Sequence, residues 1–479
     1  MLIFNVIYSE MNFLFKYILI LSAIFLLLNS CIKEDYNDDI EAKLSFSTDS
    51  IFFDTVFTSV GSTTAYLIIH NPYDKFLKIN SIALGKGSAS QYRINVNGES
   101  SDLVRDINIA PKDSLFVLVE VSIHPNAKDA PFVVQDSLVC NVNGKIQDVK
   151  LMAWGQNAHY IDGRYNGHIQ TTVWTADKPY LIYNSMMIDS LQTLTIEEGT
   201  RIYLHKDSYI IAKGQLNIRG SFDNPVIIQG DRLEQSYQNI PGQWGNLILA
   251  DGSGTHNIKW TELKNGIIGI QLGGLSGGVT PTLNIENSKI ENMNYAGLFS
   301  LASSINAKNL LVSNCGFYGM ALLAGGNYQF LQCSFVNYWN YAQRTEPSVI
   351  VSNNFSTAEG QYIGDLVRAD FGNCIIYGDK DNELILSNNQ AVEFNFLFEN
   401  SLIKVDDDFD TSGEQFVDII KNKDPNFVNV SELNFQIDTL SPAKDVGKLS
   451  IGQNAEFDLN NNSHTSDRKP DLGAYERLE

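Results

Sequence analysis

The residues best suited to bind a ligand lie together in one segment, residues 337–347, which reads Asn-Tyr-Trp-Asn-Tyr-Ala-Gln-Arg-Thr-Glu-Pro. Flat aromatic rings stack on sugars or on protein side chains, and a guanidinium group makes forked hydrogen bonds. The segment therefore predicts a binding patch for a glycan or a protein partner, formed by Tyr338, Trp339, Tyr341 and Arg344. The alternative is that Tyr338 and Trp339 pack against the wall of the fold.

Carboxylates could support glycoside hydrolysis, which needs two of them flanking the scissile bond at a set separation. The tight acidic cluster of this sequence is Asp406, Asp407, Asp408 and Asp410, and it follows the last predicted strand, where such clusters usually form solvated loops. A polysaccharide lyase would need a basic residue beside a cation that neutralises the substrate, but basic residues are sparse between Gly245 and Val405. We therefore predict no catalytic residues and keep a lyase or a glycoside hydrolase as the alternative.

Metal-ligand patterns are weak in this chain, so neither a metal nor another cofactor is predicted. His159 and His168 are nine residues apart with no third ligand beside them, which favours surface histidines. Asp458 to Asn462 has the Asp-x-Asn-x-Asn rhythm of a calcium loop, but Ser463 replaces the glycine of the sharp turn. We expect a turn held by Asx hydrogen bonds there.

These candidate residues lie in a repeating stretch, residues 193–405. An amide and a small residue recur between short apolar runs, with the small residue at positions 261, 288, 315, 333, 374 and 401, spaced by 27, 27, 18, 41 and 27 residues. Self-similarity at this period indicates a solenoid, and three-to-five-residue strand patterns without helical periodicity favour a right-handed parallel β-helix of roughly nine or ten coils. A β-propeller, the alternative, would require more even spacing.

Cys315, Cys333 and Cys374 occupy the same position of this predicted repeat. Side chains in a ladder point the same way, so we predict buried free thiols rather than disulfides. Cys140 is expected to be an isolated small apolar residue in a strand.

The N-terminus predicts export and lipidation. Lys16 precedes a twelve-residue apolar run, Tyr17 to Leu28, which is too short to span a bilayer and typical of a signal peptide, predicted here as residues 1–30. Leu28-Asn29-Ser30-Cys31 resembles a bacterial lipobox, which implies acylation of Cys31 and a membrane partner through that anchor. Residues 31–43 form an acidic tether that resembles the signal for surface display on Gram-negative outer membranes. The expected location is the outer membrane, facing outward.

Residues 44–157 predict a separate β-sandwich, because strand-like runs alternate with turns such as Asn143-Gly144. Gly61-Ser62, Asn71-Pro72 and the run Ile109 to Ser114 resemble immunoglobulin-like domains of the ASPM/SPD-2/Hydin type. That resemblance implies a spacer or adhesion module. Residues 158–192 are expected to be a linker and N-terminal cap.

Two further stretches resemble bacterial surface lipoproteins with a β-helix of the pectin-lyase-like fold. Leu194 to Thr200, Gly214 to Ser221 and Pro241 to Leu247 resemble their entry coils. Ser441 to Gly447 and Pro470 to Glu476 resemble the closing segment of the choice-of-anchor-Q type. The family carries no settled chemistry, and the resemblance implies that residues 406–479 form a C-terminal cap, with Phe427 to Glu476 covering the open end.

A formal charge of −21, from 34 basic and 55 acidic residues, disfavours nucleic acid as a partner. Together these features predict an all-β surface lipoprotein that binds a glycan or an outer-membrane protein through its β-helix without catalysing a reaction. A carbohydrate-active enzyme and a scaffold subunit of an outer-membrane assembly are the alternatives.

Overall fold

The structure, a computed structural model, describes residues 35–126, 131–275, 280–466 and 469–478. The predicted signal peptide, Cys31 and the first residues of the tether lie outside these ranges. Helices within them lack the length and apolar character needed to cross a bilayer. The described chain divides into two compact units, one formed by residues 35–124 and 133–155, the other by residues 125–126, 131–132, 156–275, 280–466 and 469–478.

The first unit consists of antiparallel β-sheets whose strands alternate buried apolar and exposed polar residues. One sheet contains, in spatial order, Ser45–Phe46, Ala65–His70, Ser114–Val121, Tyr92–Val96 and Glu99–Ser100. The other contains Ser50–Phe57, Lys145–Gln156, Phe132–Val142, Leu77–Leu84 and Leu103–Ile109. Asn143 and Gly144 both have left-handed backbone angles, so the tight hairpin turn predicted there is confirmed. A 3-10 turn spans Gly87–Ala89.

The second unit is a β-helix in which each strand pairs in parallel with the strand one coil later. Three sheets run along it, named here A, B and C. Sheet A contains His159–Asp162, Tyr180–Tyr183, Arg201–Leu204, Val226–Gly230, Thr261–Lys264, Ser334–Asn337, Ile375–Gly378, Leu402–Ile403 and Ile420–Lys421. Sheet B contains His168–Ile169, Met186–Ile188, Ile210–Ala212, Trp244–Leu249, Gly266–Gly273, Val349–Ser352 and Leu384–Ser387. Sheet C contains Thr172–Trp174, Thr193–Glu197, Gln215–Arg219, Thr255–Lys259, Leu366–Gly372, Leu397–Glu399 and Phe416–Val417.

Three longer strands turn corners and join more than one sheet: Thr282–Glu291, Ala296–Ser313 and Tyr318–Leu331. Shorter elements decorate the coils: the hairpins Asn354–Thr357 with Gly360–Ile363 and Phe427–Asn429 with Asn434–Ile437, the 3-10 turns Gln235–Tyr237 and Val430–Glu432, and the helix Leu449–Asn454. The prediction of a parallel β-helix is therefore confirmed. Parallel pairing already begins at His159, so residues 158–192, expected to be a linker and cap, form the first coils.

The recurring amide marks the corner where sheet C turns into sheet A. The corner residue has a left-handed backbone in successive coils, at Trp260, Asn287, Asn309, Gln332, Asn373 and Asn400. Asparagine tolerates this conformation better than most residues because its short side chain hydrogen-bonds locally. The coils therefore repeat after 27, 22, 23, 41 and 27 residues.

Asn314-Cys315 does not belong to this corner, which corrects the predicted repeat. Asn314 lies at the next corner, between sheets A and B, where its amide donates to Asn292 Oδ1 one coil earlier. Both corners use asparagine with a left-handed backbone followed by a small or apolar residue, so the sequence pattern cannot separate them. Cys333 and Cys374 do lie on adjacent coils, and Cys315 is in a different row.

All four described cysteines are free and buried, as predicted. Burial raises the pKa of Cys140 and of Cys315 to about 12, and it raises the pKa of Cys333 as well. The thiols thus stay protonated and act as small core residues. Beside them, Phe330, Phe371, Phe398 and Phe416 form a ring stack along the inside of sheet C.

The C-terminal residues 439–466 and 469–478, named here the strap, lie along the outer face of sheet A. Outward apolar residues of that sheet, such as Leu311 and Ile375, join strap residues such as Leu472 and Tyr475 in a second core. The corner amides bind the strap backbone: Asn287 donates to Phe457 O, Asn373 to Lys448 O and Asn400 to Val446 O. The strap, which was expected to cap the open end, therefore covers the side of the β-helix across several coils.

Candidate functional site

Arg344, predicted to contact a ligand, is instead held inside the protein. Its side chain is 1% exposed, and its guanidinium donates to both carboxylate oxygens of Glu383, at 2.7 and 2.5 Å. It also pairs with Asp379 and donates to the carbonyls of Asn337 and Glu346. Burial opposes the charged form, but the bonds to Glu383 and Asp379 prevail, so the pKa of Arg344 is raised. These bonds of the Arg344 side chain attach the segment 338–347 to the neighbouring coil.

The three predicted aromatic residues occupy different environments. Trp339 is buried, and Tyr338 is half-buried and stacks on Phe435 at 6.3 Å between ring centroids, which matches the packing alternative. Tyr341 is 45% exposed and lies 5.0 Å from the Trp339 ring. Nearby, Phe317 is 42% exposed and lies 4.9 Å from Tyr295, one coil earlier. Tyr295 and Phe317 form an aromatic pair that the sequence pattern did not assemble, since they lie in different coils.

The acidic cluster at residues 406–410 forms a loop between two coil strands. Lys421 Nζ donates to the carbonyls of Asp407 and Phe409, and Asp406 accepts from the Asn382 amide. Hydrogen bonds from Ser412 lower the pKa of the exposed Asp410 carboxyl. These contacts agree with the loop predicted for the acidic cluster.

The weak metal-ligand patterns also have other partners. His159 and His168 are partly exposed and pair with Asp177 and Asp189, at 2.9 and 2.8 Å. Asp458 Oδ1 accepts from the backbone N–H groups of Asn460 and Asn462, which is the Asx turn expected for this segment. No group of three or more His, Cys, Asp or Glu side chains in the described ranges is arranged to hold a metal ion.

A buried ionisable cluster fastens the strap to sheet A, and sequence reasoning missed it. His464 Nδ1 lies 2.8 Å from Glu476, and His464 Nε2 lies 2.8 Å from the Asn309 amide oxygen. Glu476 accepts from the backbone N–H of Asp471, whose own carboxylate accepts from the N–H groups of Asp445 and Arg477. Burial, followed by the charge of Glu476, raises the pKa of Asp471 to about 7. Burial lowers the pKa of His464 to about 4.

Asp471 predicts a measurable pH dependence of stability. Its folded-state pKa of about 7 lies above its ordinary 3.8, so its stabilising contribution is complete below pH 3.8 and is lost as the pH rises to about 7. We expect Asp471→Asn to reduce the fall in unfolding free energy between pH 4 and 7, measured by urea denaturation. His464 acts in the opposite direction, with stability lost as the pH falls from 6.5 through 4, and removing the Asp471 charge, which raises the His464 pKa, strengthens this opposing dependence. Asp408→Asn, at an exposed loop position, is the control, and an unchanged pH slope for Asp471→Asn would contradict the expectation.

The outer face of sheet C, named here the amide face, carries a regular row of polar side chains. Asn217, Asn257, Asn284 and Asn306 stand on it in successive coils. The amides of Asn257, Asn284 and Asn306 each donate to the carboxamide oxygen of the preceding coil, at 2.9, 3.0 and 3.0 Å. Gln329 and Asp370 continue the row.

Two further rows flank these amides. One is rich in hydroxyl and amide groups: Thr193, Gln215, Thr255, Thr282, Ser304, Asn327, Arg368. The other mixes both charges: Glu197, Arg219, Lys259, Glu286, Lys308. Inward residues of the same strands, such as Ile218 and Ile285, fill the core. A Leu-Asn-Ile or Ile-Asn-Ala triplet at three of the four positions is the signal that could have revealed the row.

Helix Leu449–Asn454 of the strap forms a wall at the far end of the amide face. Its Ile451 packs with Leu331 and against Gly372, where an added Cβ would meet Ile451 at 2.7 Å. Lys448 just before the helix pairs with Glu399 at 2.6 Å. The space between helix and sheet is a cavity of about 160 Å³ beside Gln329 and Asp370. Burial, and to a lesser extent Glu399, raises the pKa of Asp370, against the opposing charge of Arg368.

Comparison with known proteins addresses the fold of part of the chain. Structural likenesses include a family 123 glycoside hydrolase from Clostridium perfringens that hydrolyses glycolipid glycans, at 9% identity over 24% of this chain and TM-score 0.18. The match spans only 26% of that hydrolase. The PapD-like domain 7 of human CEP192 matches at 12% identity over 27% of this chain and 94% of its own, with TM-score 0.17. Likenesses this weak carry no argument.

Curated protein sequences include no match to this chain. Residues 166–277 match the family model described as a pectate-lyase-like β-helix domain. These residues form consecutive coils of the second unit, with sheets A, B and C in parallel register. This part of the β-helix is therefore similar to a pectate-lyase-like β-helix domain.

Proposed function

We propose that this protein binds a glycan on the amide face of sheet C, without catalysis, as an outer-membrane lipoprotein anchored through Cys31 and displayed at the cell surface. The ladder of Asn217, Asn257, Asn284 and Asn306 carries the proposal. A carboxamide offers two N–H donors and an oxygen with two acceptor positions. Within the ladder an interior member uses one donor and one acceptor position, so one of each remains for a ligand. Sugar hydroxyls both donate and accept, which suits such a surface.

The similarity to a pectate-lyase-like domain supports a carbohydrate as the ligand class. The formal charge of −21 favours an uncharged glycan over a polyanionic one. Coils repeat at about 4.8 Å, so the face presents equivalent groups at even intervals along an extended chain. The lipobox resemblance at Cys31 and the acidic tether support display on the outer membrane.

Glycoside hydrolysis is the second candidate, and one observation favours it. Asp370 and Glu399 lie on adjacent coils and are offset by two residues, because Gly372 is the partner of Glu399. Diagonal neighbours on a sheet face are separated by about 7–8 Å, within the range of carboxyl pairs in inverting glycosidases. Release of new reducing ends that Asp370→Asn and Glu399→Gln abolish would favour this function over binding alone.

The binding proposal predicts that Asn257→Ala combined with Asn284→Ala weakens glycan binding by roughly tenfold to thirtyfold. Each substitution removes amide hydrogen bonds worth about 1 kcal/mol, and about 1.4 kcal/mol corresponds to tenfold in affinity. Isothermal titration calorimetry with uncharged oligosaccharides measures the effect. Asn239→Ala, at an exposed loop position away from the face, is the matched control. Wild-type affinity in a double variant with an unchanged β-sheet spectrum would contradict the proposal.

A further inference from the structure

The cavity beside helix Leu449–Asn454 offers three kinds of surface within a small space. Leu331, Leu397 and Ile451 form an apolar wall. Gln329 contributes an amide, and Asp370 contributes a carboxylate that accepts hydrogen bonds. About 160 Å³ is room for one substituent of a sugar rather than for an oligosaccharide.

The charged residues of the cavity are largely matched with each other. Lys448 and Glu399 lie 2.6 Å apart, and Arg368 Nε lies 3.8 Å from Asp370. A uronate carboxylate would be placed against Asp370 and Glu399, which disfavours an acidic sugar through like-charge repulsion. An unsubstituted hydroxyl would leave the apolar wall in contact with water.

We infer that this cavity takes the acetamido group of an N-acetylhexosamine, so that the glycan on the amide face contains N-acetylated amino sugars. The methyl group would lie against Leu331, Leu397 and Ile451. The amide N–H would donate to Asp370, and the Gln329 side chain would donate to the acetamido carbonyl. Each polar atom of the group gains a partner of the opposite hydrogen-bonding type, as a buried amide requires.

This inference rests on the proposed function, because the cavity continues the amide face. The row from Asn306 leads through Gln329 to Asp370, where the strap helix adds the wall. The amide face would therefore hold the chain in many equivalent hydrogen bonds, while the cavity would distinguish its substituents.

The test compares oligosaccharides within sets whose members differ from each other only at carbon 2. Tetramers of N-acetylglucosamine and of glucose with the same β-1,4 linkage are titrated into the mature protein, together with the de-N-acetylated tetramer and the corresponding galacto-configured pair. We expect an N-acetylated tetramer to bind at least tenfold more tightly than its hydroxyl counterpart. Asp370→Asn should reduce this preference to less than about threefold, since the neutral side chain no longer offers a carboxylate acceptor.

Gln453→Ala, at an exposed position of the same helix outside the cavity lining, is the control that should retain the preference. Equal binding of the N-acetylated and hydroxyl tetramers, or tighter binding of the de-N-acetylated tetramer, would overturn the inference and leave the proposed function standing. The same holds for a preference that Asp370→Asn does not alter. Absence of binding by all of these glycans would overturn both.

Discussion

Replacing Arg344 by alanine is expected to lower the free energy of unfolding by roughly 3–5 kcal/mol, the cost of leaving a buried charge without its partner. The side chain of Glu383 is 0% exposed, and its carboxylate also accepts from the N–H groups of Ser348 and Lys380. These backbone bonds hold the carboxylate in place when the guanidinium is removed, so the charge cannot move to solvent.

Urea denaturation of the wild-type protein and of the Arg344→Ala variant measures this difference in unfolding free energy. Arg219→Ala breaks a partly exposed pair with Glu197 and should cost less than about 1 kcal/mol. The double variant Arg344→Ala with Glu383→Gln should recover part of the loss, because the uncompensated charge is gone. A loss below 1 kcal/mol for Arg344→Ala would show that its pair with Glu383 is not buried as described.

Phe371→Ala is expected to destabilise the solenoid by about 3–5 kcal/mol through loss of burial and creation of a cavity. The Phe371 ring stacks between Phe330 and Phe398, at centroid distances of 5.0 and 4.5 Å, in the middle of the ring stack. It is also buried against Phe335. Thermal or urea unfolding measures the change.

The control is Phe371→Leu, which keeps most of the volume and should cost much less. Ser356→Ala, on the exposed hairpin outside sheet B, should leave stability within about 0.5 kcal/mol. Equally small losses of unfolding free energy in Phe371→Ala and Phe371→Leu would contradict the ring stack inside sheet C.

The fold could be predicted because the corner has a demanding local conformation. A left-handed residue in each coil selects asparagine, and the small or apolar residue after it turns inward, which leaves a repeat visible in the sequence. The register could not be predicted, since Asn314-Cys315 uses the same chemistry at another corner.

The candidate site was harder to predict because its members meet only through stacking. The sequence predicts Arg344 as a ligand contact because its buried partner, Glu383, lies 39 residues later. Only the stacking of the next coil brings the two side chains together. The amide face comes from single asparagines scattered between positions 217 and 306, each unremarkable in its own strand. The strap, which is distant from sheet C in sequence, forms the cavity wall, and no local sequence pattern predicts that contact.

Locating a bound glycan tests the central claim most directly. In a crystal structure of the protein soaked with an oligosaccharide that binds in solution, sugar hydroxyls should lie within hydrogen-bond distance of the Asn257, Asn284 and Asn306 amides. An oligosaccharide found instead on the aromatic pair of Tyr295 and Phe317, with the amide face bare, would contradict the account.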